Sequence, residues 1–102
     1  MFAPFVSIYA AGKSALTSLT RSTAAAFASR GVRVNALCPG PVDTDMVRKN
    51  TPEFIEGMAN STLLGRLAEP DEMVAPALLL TSDAGSYITG HVLLADGGSV
   101  MP

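Results

Sequence analysis

The chain has 102 residues, a formal net charge of -2 and a pI near 5.1, with 16% charged and 48% hydrophobic residues. This excludes a disordered chain and leaves no basic footprint for nucleic acid or an anionic membrane surface. A single cysteine, Cys38, excludes an internal disulfide framework and fits a reducing cytoplasm.

No apolar run approaches a membrane span, and the start, MFAPFVSIYA, lacks the basic region and long apolar core of a signal peptide. From Tyr9 to Arg30 the residues are mostly Ala, Leu, Ser and Thr, without proline, which predicts a helix. Leu16, Leu19, Thr20, Thr23, Ala24 and Phe27 fall near one face of it, and Gly31 stands where a glycine stop belongs. Val32 to Cys38 reads as a strand halted by Pro39-Gly40-Pro41. Asp43 to Asn50 reads as loop or short helix, and Thr51-Pro52 predicts a capped helix over Pro52 to Met58.

Pro70-Asp71-Glu72 opens another helix, with Met73, Val74, Ala77, Leu78 and Thr81 as its apolar face. Pro76 inside it predicts a kink or a late start. His91 to Ala95 reads as a short strand closed by Asp96-Gly97-Gly98. Two apolar strands joined through a helix predict a parallel βαβ crossover. Parallel sheets normally hold several strands covered on both faces, so the chain reads as part of an α/β domain.

Three segments suggest chemistry. Tyr9 and Lys13 are four residues apart, which places them on one helix face. An ammonium beside a phenol favours the phenolate and makes proton transfer feasible near neutrality. Taken alone, the pair equally fits a surface tyrosine and a solvated lysine. The strand ending at Pro39-Gly40 leaves backbone groups at its carboxyl end, the edge where open α/β sheets bind ligands. A plain loop accounts for that stretch equally well. His91 and Cys38 read as structural strand residues, and Asp43 with Asp45 is too little for a metal site.

The series YAAGK, SLTR, GVRVNALCPGPVDTDM, GRLAEPDE, LLLTSD, YITG and DGG, running from Tyr9 to Gly98, resembles the short-chain dehydrogenase/reductase family. The resemblance implies the last strands and helices of a Rossmann-like, doubly wound parallel sheet, so that residues 1–102 form a partial domain without its dinucleotide-binding half. It implies an NAD- or NADP-dependent oxidoreductase acting on a small carbonyl or alcohol. Tyr9 would transfer the proton and Lys13 would hold the nicotinamide ribose. Pro39, Gly40, Val42 and Thr44 would hold the nicotinamide carboxamide.

It further implies a homo-oligomer built on the Tyr9–Arg30 helix, whose Ala24, Ala25, Ala26 and Ala28 allow close approach. Met46 to Leu64 would form a substrate lid lined by Phe54, Ile55, Met58 and Leu63. The family's glycine-rich phosphate loop and helix asparagine have no counterpart in the sequence. Its catalytic serine would fall upstream of Met1, and Ser7 stands at the wrong spacing. The 102 residues by themselves are therefore expected to show no measurable NADH or NADPH binding and no appreciable turnover. The alternative is a non-catalytic product that acts as an interaction module.

Overall fold

In the computed structural model, residues 4–99 are described, with the side chains of Ile8 and of residues 10–99. Helix α1 runs Pro4–Phe27 and tightens into a 3-10 turn at Ala28–Arg30. Gly31 ends it in the left-handed region (φ 71°), donating its N–H to the Ala28 carbonyl at 3.0 Å. The helix thus covers the expected segment and begins earlier.

Strand β1 covers only Ala36–Pro39, shorter than the expected Val32 to Cys38. The preceding backbone faces a turn rather than a strand. Val34 N donates to Thr89 Oγ1 at 3.1 Å, and the Val34 carbonyl accepts from Gly90 N at 2.8 Å. Strand β2, Val92–Ala95, pairs with β1 in parallel, Ala36 opposite Val92 and Pro39 opposite Ala95. The crossover carries α2 (Asp45–Arg48), α3 (Pro52–Asn60), a 3-10 turn at Pro70–Met73 and α4 (Val74–Thr81). Thr51 caps α3 by accepting from Phe54 N at 3.2 Å, as the Thr-Pro signal predicts. Pro76 is the third residue of α4, where an N–H has little intrahelical use, so it is accommodated by a late start.

Asn35, Arg33 and two glycines lock the return to β2. Asn35 Nδ2 donates to the Ile88 carbonyl and its Oδ1 accepts from His91 N, both at 3.0 Å. Arg33 donates to the carbonyls of Ile88 and Ser82 at 2.8 and 3.1 Å. Gly90, at φ +71°, lets the turn close on α1, where an added Cβ would lie 3.6 Å from the Ala24 Cβ. A Cβ on Gly85 would collide with the Leu79 carbonyl at 2.0 Å.

The core is small. Ala24 and Leu80 are the buried apolar residues among those described, joined by Thr20 and Thr62. This corrects the expected apolar face of α1: Thr20 and Ala24 are covered, but Leu19 is 65% exposed and Leu16 and Phe27 are also exposed. The accessible area is 7116 Å². A folded monomer of this mass exposes roughly 5,400 Å². The surplus is about twice the roughly 800 Å² that each partner contributes to a standard protein interface.

Candidate active site

The loop after β1 is fixed by long-range pairings. Gly40 N donates to the Ala95 carbonyl at 3.1 Å. Ala68 N donates to the Pro41 carbonyl at 2.9 Å and Asp43 N to the Ala68 carbonyl at 2.8 Å, which makes Val42 and Ala68 a parallel bridge. In such a bridge the amide and carbonyl of Val42 face away from Ala68. They have no hydrogen bond among the described residues.

Thr44 caps α2, its Oγ1 accepting from Val47 N at 3.3 Å, and Arg48 reaches back from α2 to the Asp43 carboxylate. The middle of the crossover is fastened to the turn after β2. Leu63 N and Leu64 N donate to the carbonyls of Gly98 and Gly97, at 2.8 and 3.1 Å.

These constraints leave a cleft of about 290 Å³ at the carboxyl ends of both strands. Lys13 of α1 lines it together with Pro39 and Gly40 after β1, Met58 and Ser61 at the end of α3, and Asp96 after β2. Among the expected site residues, the structure therefore brings Lys13, Pro39 and Gly40 to one cavity. Val42 and Thr44 lie further along the same loop and do not line it. Tyr9 stands one turn before Lys13 on α1 and shares its helix face, while its side chain is outside the described residues.

Met58 reaches the cleft, Ile55 is half-buried, and Phe54 and Leu63 are exposed.

An adjoining cleft of about 280 Å³ lies beyond the Gly40–Asp96 contact and includes Thr62, Arg66 and Glu72. The charges of Arg66 and Glu72 neutralise each other there, and Asp96 also lines the cleft. Arg66 donates to both Glu72 oxygens, at 2.7 and 3.0 Å, and Glu69 N donates to Glu72 Oε1 at 2.9 Å. The Arg66 hydrogen bonds, then the Glu69 amide, pull the Glu72 carboxyl down to about 2, and the same pair raises Arg66. The Glu69–Glu72 capping box and the Arg33–Asn35 clamp were missed from the sequence. The Glu69-x-x-Glu72 spacing signals the first, whereas the second joins residues more than fifty positions apart and has no local signature. Among the described residues, no cluster of His, Cys, Asp and Glu could hold a metal ion, and no helix is long and apolar enough to cross a membrane.

Comparison with known proteins places this geometry in a family. The family described as enoyl-(acyl carrier protein) reductase matches residues 1–100. The chain is 51% identical over 96 residues to galactitol 2-dehydrogenase (L-tagatose-forming) of Cereibacter sphaeroides, covering 92% of this chain and 38% of that protein. It is 41% identical over 92 residues to cis-4-hydroxycyclohexanecarboxylate dehydrogenase of Sinomonas cyclohexanicum, covering 90% and 37%. The solved 3-oxoacyl-[acyl-carrier protein] reductase of Brucella melitensis superposes with a TM-score of 0.82 at 38% identity, covering 92% of this chain and 35% of that one. The chain thus spans about two fifths of the length of the curated relatives it matches, and its two-stranded sheet and helices correspond to part of a Rossmann-like α/β domain. With its fold, its ordered motifs and its relatives in agreement, the chain belongs to the short-chain dehydrogenase/reductase family of oxidoreductases.

Proposed function

We propose that this chain supplies the proton-transfer face of an NAD- or NADP-dependent oxidoreductase site, with a small alcohol or carbonyl compound as substrate. The observation that carries the proposal is the shared cleft: Lys13 on α1 and Pro39–Gly40 at the end of β1 line one cavity at the strands' carboxyl edge. Tyr9, one turn from Lys13, gives or takes the proton of the substrate oxygen. The Lys13 ammonium favours the phenolate and so brings that transfer within reach of neutral pH.

The nicotinamide supplies the hydride donor or acceptor when bound. The donor set suits a carboxamide, which needs both an acceptor and a donor. The Val42 amide and carbonyl are left over by the Ala68 bridge, and the Thr44 hydroxyl keeps its own proton after accepting from Val47 N. Met58 and Ser61 close the cleft from the lid side and exclude water from part of it. The free thiol of Cys38 suits a reducing cytoplasm.

The test is a segment exchange. Residues 9–98 replace the matching segment of the Cereibacter sphaeroides galactitol 2-dehydrogenase, and reduction of NAD is followed with a panel of alcohols. Activity on at least one alcohol is expected. A folded, inactive hybrid counts against the reading.

A second reading, an interaction module, is favoured by the uncovered surface of α1. Leu16 and Leu19 are exposed there, and Ala25, Ala26 and Ala28 leave room for close helix approach. Under this reading α1 joins copies of the chain, or the chain and a longer relative. Association through α1 is compatible with the catalytic reading as well.

A further inference from the structure

A second open cleft of about 360 Å³ runs along α1 and shares Lys13 and Leu94 with the one at the strand ends. Lys13, Thr17 and Arg21 line it from the helix, and His91, Val92 and Leu94 line it from β2. Its helix residues are spaced i, i+4 and i+8, so Lys13 and Arg21 stand on one face roughly 12 Å apart along the axis. No carboxylate lines the cleft, although the chain as a whole is acidic.

Arg21 differs from the other arginines. Arg33 donates to two carbonyls, Arg48 and Arg66 are ion-paired, and Arg30 lies over the Phe27 ring at 5.7 Å. Among the described residues, Arg21 alone of the five has neither hydrogen bond, ion pair nor ring partner.

The backbone beside it is held firmly. The Arg21 Cα is 4.0 Å from where a Gly90 Cβ would lie, and His91 follows Gly90. His91 N is bonded to Asn35, Gly90 N to the Val34 carbonyl, and the His91 carbonyl to Ala36 N. Arg21 and His91 thus line one cleft with Val92 and Leu94, and no carboxylate is among its lining residues. The Lys13 and Arg21 cations in a concave site that no carboxylate lines attract an anionic ligand.

We propose that this cleft binds a phosphate group, with the Arg21 fork gripping its oxygens and His91 donating a further hydrogen bond. A guanidinium matches the oxygens of a phosphate two at a time. The volume admits a phosphate with a small organic substituent and excludes a folded peptide. The proposal does not depend on the role given to Tyr9 and Lys13 above.

The experiment titrates the 102-residue chain with sodium phosphate and with glycerol phosphate, at ionic strength held constant by sodium chloride. The amide resonances of Arg21, Gly90 and His91 are followed by NMR. Saturable shifts confined to these residues are expected, weakened at least about tenfold in Arg21→Gln and less in His91→Gln. Both variants change exposed side chains, and an unaltered amide spectrum elsewhere verifies the fold. Tighter binding of glycerol phosphate identifies an esterified ligand, and equal binding identifies the free ion. Shifts that fail to saturate, or a titration unchanged in Arg21→Gln, overturn the proposal.

Discussion

Gly40 stands so close to Asp96 that a Cβ at position 40 would lie 2.8 Å from both the Cα and the carbonyl oxygen of Asp96. The segments that leave the two strand ends and frame the candidate active site therefore meet backbone to backbone, with no side chain able to yield. Gly40→Ala is expected to cost about 1–3 kcal/mol, the usual range for overpacking, and to displace the Pro39–Gly40 loop. Urea denaturation checks this, since an unchanged midpoint would mean that the contact is slack.

Asn35 is expected to matter through position. Its amide serves the Ile88 carbonyl and the His91 amide at once, and these bonds set where β2 begins beside β1. Asn35→Ala leaves the exposed His91 N–H without its protein partner and the Ile88 carbonyl with Arg33 alone, at a cost of about 0.5–1.5 kcal/mol. Hydrogen exchange should quicken at His91 and Val92 before it does so in α3. Uniform exchange across the chain would argue against a local clamp.

The Arg66–Glu72 pair gives an acid-side pH dependence. The folded Glu72 carboxyl sits at about 2 instead of the ordinary 4.5, so the folded state binds its proton less readily than the unfolded state does. The contribution is fully present above about 4.5 and is lost as pH falls toward 2. Both side chains are exposed, so the effect is small and is weakened further by salt. Glu72→Gln should flatten the fall in melting temperature between pH 5 and pH 3 at low ionic strength, relative to the unchanged chain. Parallel curves for the two proteins would contradict the assignment.

The exposed side of α1 sets the association behaviour. Leu16 and Leu19 project from a helix on which, among the described residues, only Thr20 and Ala24 are buried. Sedimentation should show concentration-dependent association, weakened at least about tenfold by Leu19→Glu. A chain that stays monomeric at high concentration would remove the basis for an interface on this helix.

The sequence made the helices legible because their signals are local. Thr51-Pro52 marks the start of α3, Gly31 the end of α1, and Pro76 the late start of α4. The parallel pairing of β1 and β2 followed from the order of elements. The strand at Val32 to Cys38 came out too long because Val34 bonds to a turn whose Thr89 and Gly90 lie over fifty residues away. The burial of α1 was overestimated for a related reason. Periodicity identifies a face that is suited to packing, but not whether this chain contains enough partners to cover it.

In the site, Lys13, Pro39 and Gly40 were expected from the family resemblance rather than from spacing alone, and they line one cleft. The fastening of the loop by Val42–Ala68 and of the crossover by Leu63–Gly98 depends on long-range backbone pairing, which leaves no trace in local sequence.

The central claim is that Tyr9 moves the proton. Its most direct test is the rate of NAD reduction by the segment-exchanged dehydrogenase carrying Tyr9→Phe, compared with the same hybrid carrying Tyr9. Loss of the phenol hydroxyl is expected to lower kcat by about 10²–10⁴-fold, the usual contribution of a positioned acid or base, with the melting temperature unchanged. A folded Tyr9→Phe hybrid that keeps its full rate would contradict the claim.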